Sequence, residues 1–295
     1  MYACESRITM QKGCHATLFI GGDFQFHSSG FKEEIFQDFK KDFLTAENPY
    51  FIGLGDYGDF LRPSLRTRVA EVLTQDPDAR KELDDIITQD VHRMADKLSF
   101  LKNKCVGLHS GHHEWEYKNG TNSSQKLCEL LNAQYLGWAA YTVLRIVAPK
   151  SKAGNKSSTI SIKIFSTHGD GGSSFSSGDM ANLEKKIAPY WISDLYLRGH
   201  SSKGELAPLE LNDVTLKGTP RIIKKVRWII NCPGMMAGYE LNKTGYVELR
   251  SLPPASLGYA KCDIWFSSGL PNEIDGKMMT GVRLQPMIVS PHIYK

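Results

Sequence analysis

Tyr50-Phe-Ile-Gly-Leu-Gly-Asp56 is the stretch on which the fold turns. It is a short, nearly continuous apolar run that ends on a carboxylate, the pattern of a strand buried on both faces. Two other segments share its form. Ala16-Thr-Leu-Phe-Ile-Gly-Gly-Asp23 precedes it, and Cys105-Val-Gly-Leu-His-Ser-Gly111 follows it and runs straight into His112-His113-Glu114. Helical spacing separates the three. Phe31, Ile35, Phe36, Phe39, Phe43 and Leu44 recur on one face, as do Leu83, Ile86, Ile87, Val91, Met94, Leu98 and Leu101. Strands alternating with amphipathic helices indicate stacked β-α units.

Farther along, a short helix over 125–134 leads to strands over 141–147 and 159–165, joined as a hairpin by the polar loop 149–158. A helix over 178–188 leads to a strand that ends at His200, and strands are expected near 226–231, 245–250 and 282–289. No composition shift marks a linker, so a single domain over 1–295 is expected.

The composition closes several classes. The chain has 295 residues, 41% hydrophobic and 23% charged, close to globular averages and far from those of disordered chains. Its 36 Lys+Arg against 32 Asp+Glu leave a net charge of +4, which permits an anionic substrate without announcing a nucleic-acid binder. The N-terminus lacks a signal-like apolar core, and the longest apolar stretch, around Leu136 to Leu144, is too short to span a bilayer. A cytoplasmic protein without a membrane partner is the expectation. Six cysteines without CxxC spacing read as reduced thiols.

Position carries more than composition. Asp23, Asp56, His112 with His113, His168 and His200 each stand just after a strand, at its C-terminal end. In open α/β sheets that edge is where loops converge and ligands bind. Carboxylate plus imidazole suits Zn²⁺, Mn²⁺, Fe or Ni²⁺ and not Ca²⁺. Each fragment alone has an ordinary reading: a strand-terminal Asp can cap a turn, and a lone His can be a packed core residue.

The ordered set resembles a family. The series Asp…Gly-Asp-x-x-Asp…Gly-Asn-His-Asp/Glu…His…Gly-His-x-His marks the calcineurin-like metallophosphoesterases. Here it reads Asp23, Gly55-Asp56-x-x-Asp59, Gly111-His112-His113-Glu114, His168 and Gly199-His200-Ser201-Ser202. The resemblance covers about residues 16–203, and the β-rich remainder, 204–295, is similar to that of bacteriophage-encoded members. It implies an α/β fold, a four-layer α/β/β/α sandwich of two mixed sheets flanked by helices.

The resemblance also implies a metal-dependent phosphoesterase, in which a metal-activated hydroxide attacks a phosphodiester, nucleic acid included, or a phosphomonoester. One or two divalent transition-metal ions would serve it, with Asp56 bridging, Asp23 at the first metal, and His112, His168 and His200 at the second. His113 would be the catalytic histidine and Asp59 its orienting partner.

Three positions depart from the family pattern. Gln25 stands where the family has a histidine, His112 where it has Asn, and Ser202 where it has the final histidine. Two of these changes fall on the first metal, whose remaining candidates are Asp23, Asp56, Gln25, His27 and Ser202, so that site is expected to be weak or empty. The same losses motivate the competing reading, a metal-stabilised binding or scaffold protein on this fold. Around the motifs, Arg62 and Arg66 are candidates to hold substrate phosphate or to form salt bridges on a helix surface, and Trp115 with Tyr117 to stack on a base or aromatic ester or to pack in the interior.

Overall fold

Successive side chains of a strand point to opposite faces. In the strand His15–Gly21, Leu18 and Ile20 enter one hydrophobic layer and Phe19 enters another, so both faces of this strand are covered. The computed structural model describes residues 1–10, 15–60, 69, 76–148, 158–171, 178–214, 219–239, 256–271 and 278–290. Arg62, Arg66, the expected strand over 245–250 and nearly all of the expected loop 149–158 lie outside the described residues.

Twelve strands are present among the described residues. In chain order they are Tyr2–Thr9 (β1), His15–Gly21 (β2), Pro49–Gly53 (β3), Cys105–His109 (β4), Tyr135–Gly137 (β5) and Ala139–Ala148 (β6). Then follow Ser158–Thr167 (β7), Leu195–Arg198 (β8), Glu205–Val214 (β9), Ile222–Asn231 (β10), Tyr259–Pro271 (β11) and Met278–Val289 (β12). They form two six-stranded sheets, ordered β1-β6-β7-β8-β10-β9 and β12-β11-β2-β3-β4-β5. Both are mixed. β2, β3, β4 and β5 run parallel while β11 lies antiparallel to β2. In the other sheet β7, β8 and β10 are parallel and β6 pairs antiparallel with β7.

The sheets face each other across an aliphatic layer that includes Leu18, Ile20 and Ile52 from one and Leu144, Ile164 and Leu197 from the other. Outside the second sheet lie the helices Glu33–Thr45 (α1), Pro77–Lys97 (α2) and Ser123–Leu131 (α3). There an aromatic layer of Phe19, Phe24, Phe36, Phe39, Phe43 and Phe51 fills the interface. Outside the first sheet, the short helix Gly178–Asn182 (α4) and a π-turn over Leu183–Ile187 cover Phe165, Tyr196 and Ile229. This is the α/β sandwich of two mixed sheets flanked by helices.

Caps set the helix ends. Asp76 accepts from the backbone N–H groups of Asp78 and Ala79 to start α2, and a reciprocal Asn122–Gln125 capping box starts α3. Four strands were not anticipated. β1 is an edge strand whose side chains are mostly exposed or half-exposed, and β9 is likewise an edge strand. β5 has only three residues, and β11 mixes Lys, Asp and Ser among its apolar positions. None carries a continuous apolar run. Among the described residues, no helix is long and apolar enough to cross a membrane.

Candidate metal centre

β3 and β4 of one sheet and β7 and β8 of the other all point their C-terminal ends at the same place. Asp56, His112, His168 and His200 follow those four strands, and each offers one ligand atom within 4.8 Å of the other three. The chain turns abruptly to do this. Ten non-glycine residues have positive φ among the described residues, and six of them are Asp23, Gln25, His27, Asp56, His200 and Ser202. Left-handed backbone outside glycine concentrates where function holds it in place.

Glycines complete the cradle. A Cβ on Gly111 would lie 2.0 Å from Asp56 Oδ1, and one on Gly55, at φ 97°, would lie 2.7 Å from His168 Nδ1.

Hydrogen bonds orient the donors. His168 is fully buried and donates Nδ1–H to the Leu54 carbonyl at 2.6 Å, which leaves Nε2 as its lone-pair atom. That Nε2 lies 3.0 Å from His112 Nδ1 and 3.4 Å from Asp56 Oδ2. Asp170, highly exposed, places Oδ1 3.6 Å from the other nitrogen of His112. Asp56 Oδ1 accepts the backbone N–H of His113 at 2.9 Å. Among the described residues no Lys or Arg forms an ion pair with Asp23 or Asp56. Buried carboxylates facing imidazole lone pairs fit a divalent cation.

The ionisable groups of the cluster shift one another. Burial disfavours charge on His168, yet the Asp56 and Asp23 carboxylates outweigh it and push the imidazole up to about 9. Burial and the positive charge of His168 hold His112 below the usual histidine range and press His200 down to about 4. Burial also lifts Asp23 to about 7, with His168 opposing and Asp56 adding to the rise. Asp56 itself is held low, because His168 outweighs its burial.

The other anticipated residues divide. His113 donates Nδ1–H to Asp59 Oδ1 at 2.7 Å; although burial works against its charged form, this bond and the nearby carboxylates raise its pKa. Asp23 is buried and its Oδ2 accepts the His200 backbone N–H at 2.8 Å, beside the four-residue cluster rather than within it. Gln25 is buried too, whereas His27 is exposed with its ring 6.2 Å from Phe60. Ser202 and Asp23 flank Gly234 together, since a Cβ there would lie 2.5 Å from Ser202 Oγ and 3.1 Å from Asp23 Cβ.

For Trp115 the packing alternative is the one the structure favours. It is only 5% exposed, gives its indole N–H to Asp84 at 2.7 Å and lies under the Arg80 guanidinium, so its ring is spent on packing. The aromatic residue at the cluster is instead Trp138, on which no sequence motif falls.

Neither a known family model nor a curated protein matches the sequence. Solved structures do resemble it in part. Wild-type Vps29 complexed with zinc from Entamoeba histolytica aligns at a TM-score of 0.39 and 12% identity, over 92% of this chain and 98% of that one. Vacuolar protein sorting 29 from Cryptosporidium parvum aligns at 0.35 and 12%, over 93% and 99%. A conserved protein of Streptococcus pneumoniae TIGR4, described as a predicted phosphoesterase, aligns at 0.30 and 11%, over 94% and 99%.

Two further groups were beyond the sequence motifs. His109 is buried, its Nδ1–H donated to the Gly137 carbonyl at 2.9 Å and its Nε2 accepting from Ser166 Oγ at 2.8 Å. Arg198, two residues before His200, pairs with the fully buried Asp179 at 3.2 Å and donates to the carbonyls of Asp170 and Gly171. The first ties the β4 end to β7, and the second ties the loop after His168 to the end of β8.

Proposed function

We propose that this protein is a metal-dependent phosphoesterase, acting on phosphodiesters in preference to phosphomonoesters, with nucleic acid among its candidate substrates. The observation that carries the reading is the His113–Asp59 pair, hydrogen-bonded at 2.7 Å and joined through the His113 backbone to the Asp56 carboxylate. An ion-binding scaffold has no use for an imidazole held in this way beside its ligands.

In this reading Asp56, His112, His168 and His200 hold a divalent ion, and Asp23 stands ready at a second position. A bound ion would supply Lewis acidity toward a phosphoryl oxygen and make a water acidic near neutral pH. Asp59 fixes the His113 tautomer and rotation. With Nδ1–H given to Asp59, His113 Nε2 is the atom that can hold a proton for the leaving oxygen, and the neighbouring carboxylates favour its protonated form. Leu54 does the same for His168 by a backbone carbonyl, which leaves Nε2 facing the cluster.

The test is to measure bound metal and then assay phosphodiester and phosphomonoester reporters with Mn²⁺, Zn²⁺ or Ni²⁺. His113→Ala should lower kcat by about 10²- to 10⁴-fold, the usual worth of a positioned general acid, with ion content unchanged. If Asp56→Ala keeps both its ion and its activity, the assignment is wrong.

A further inference from the structure

The cluster explains how a phosphate would be held but not what is attached to it. On the phosphoesterase reading above, we infer that Trp138 sets the specificity of the site: it is a platform on which the base of a nucleoside phosphate stacks while the phosphate lies against the cluster. Trp138 sits between β5 and β6, where the chain crosses from one sheet to the other. Its ring centroid is 4.6 Å from His112 at 86° and 5.3 Å from His168 at 80°. Yet it is 40% exposed, so much of the indole is presented to solvent beside two of the four ligands.

The backbone beneath it is pinned. The Trp138 carbonyl accepts the His168 N–H and the Thr167 hydroxyl, both at 3.1 Å. One residue earlier, the Gly137 carbonyl accepts from the Ser110 N–H at 3.0 Å and from His109 at 2.9 Å. A fixed aromatic surface loses little freedom when a flat ligand settles on it. Asp170 stands on the same rim, flanking His112. Its carboxylate suits the exocyclic amino group of a base and opposes a further phosphate. A purely structural Trp at this place would cover the ligands without caring what the ester carries.

The inference is tested by binding to the Mn²⁺-loaded protein, using adenosine 5′-monophosphate, ribose 5-phosphate and inorganic phosphate as probes. Base–aromatic stacking is worth about 1–3 kcal/mol, so the nucleotide should bind roughly 5- to 150-fold tighter than ribose 5-phosphate. Trp138→Leu should remove that preference while ribose 5-phosphate affinity and ion content stay as they were, and Trp138→Phe should restore part of it. In turnover of a nucleotide ester the same loss should fall on KM rather than kcat.

The inference is overturned if the unmodified protein binds the two phosphates equally, or if Trp138→Leu weakens both to the same degree. Should Trp138→Leu lose its ion, the comparison of probes on the unmodified protein decides. A preference for the nucleotide without hydrolysis of any ester would sink the phosphoesterase reading and leave Trp138 as a recognition residue.

Discussion

Replacing Gly111 by alanine isolates the cradle from the ligands it serves. The new Cβ would lie 2.0 Å from Asp56 Oδ1, 2.4 Å from the Asp56 nitrogen and 2.8 Å from its Cγ. Ordinary contact begins near 3.4 Å, so the carboxylate must retreat by about 1.4 Å, the difference between 3.4 and 2.0. The backbone nitrogen stands in the way of a simple shift, and the carboxylate is walled in by buried neighbours. Rotation would cost the 2.9 Å bond from the His113 N–H and carry Oδ2 away from His168 Nε2.

Disturbing the groups that orient a metal ligand costs about 10- to 100-fold in affinity, and overpacking of this kind costs about 1–3 kcal/mol of stability. Gly111→Ala should therefore bind Zn²⁺ about 10- to 100-fold more weakly while remaining folded. Competition against a chromophoric chelator measures the affinity, and thermal unfolding run alongside confirms the fold. Gly120→Ala is the control, since nothing lies within 4 Å of its Cβ and any cost there comes from its backbone, at φ 81°, and not from a clash. A folded Gly111→Ala protein binding Zn²⁺ within threefold of the original would refute the account of Asp56.

Three other predictions concern stability. Phe39→Ala should cost about 3–5 kcal/mol in urea unfolding, because this fully buried ring packs against Phe19, Phe24, Phe51, Phe100 and Tyr259 and holds α1 to its sheet. Arg198→Ala takes one of two cations, Arg198 and Lys203, from the fully buried Asp179 carboxylate, and should cost about 3 kcal/mol or more by the same measurement. His109 supplies a pH dependence. Burial, opposed by the Gly137 carbonyl, pushes it down to about 3 from 6.5. Below pH 6.5 the unfolded chain therefore takes up a proton that the folded chain refuses, so this contribution is whole above pH 6.5 and falls by about 1.4 kcal/mol per pH unit toward pH 3. His109→Gln should flatten the slope of stability between pH 6.5 and 4.5 by about one proton; an unchanged slope would count against a neutral buried His109.

What was legible in the sequence follows from burial. β2, β3 and β4 lie inside their sheet with both faces covered, so their apolar runs stand out and the polar residues that end them are conspicuous. Asp23, Asp56 and His112 stand out on that ground, and His168 and His200 end β7 and β8 of the other sheet in the same way. β1 and β9 are edge strands with few buried positions, and their composition resembles that of loops. The two tryptophans near the site show a different limit. Trp115 stands beside the motif yet faces Asp84, while Trp138 is far from any motif and reaches the cluster only because β5 and β6 belong to different sheets. Proximity in sequence singled out Trp115 and passed over the ring that lies beside His112 and His168.

The cluster draws two donors from each sheet, and this makes an ion more than a reagent. Bound between Asp56 and His112 on one side and His168 and His200 on the other, it would act as a rivet across the sandwich. Motions that slide or part the layers would have to break coordination first. Amide hydrogen exchange should then slow on loading in β3 and β4 and in β7 and β8 alike, at amides well away from the ligands. Neither sheet could keep the site by itself, so the ability to hold the ion doubles as a readout of whether the two halves of the molecule are seated together.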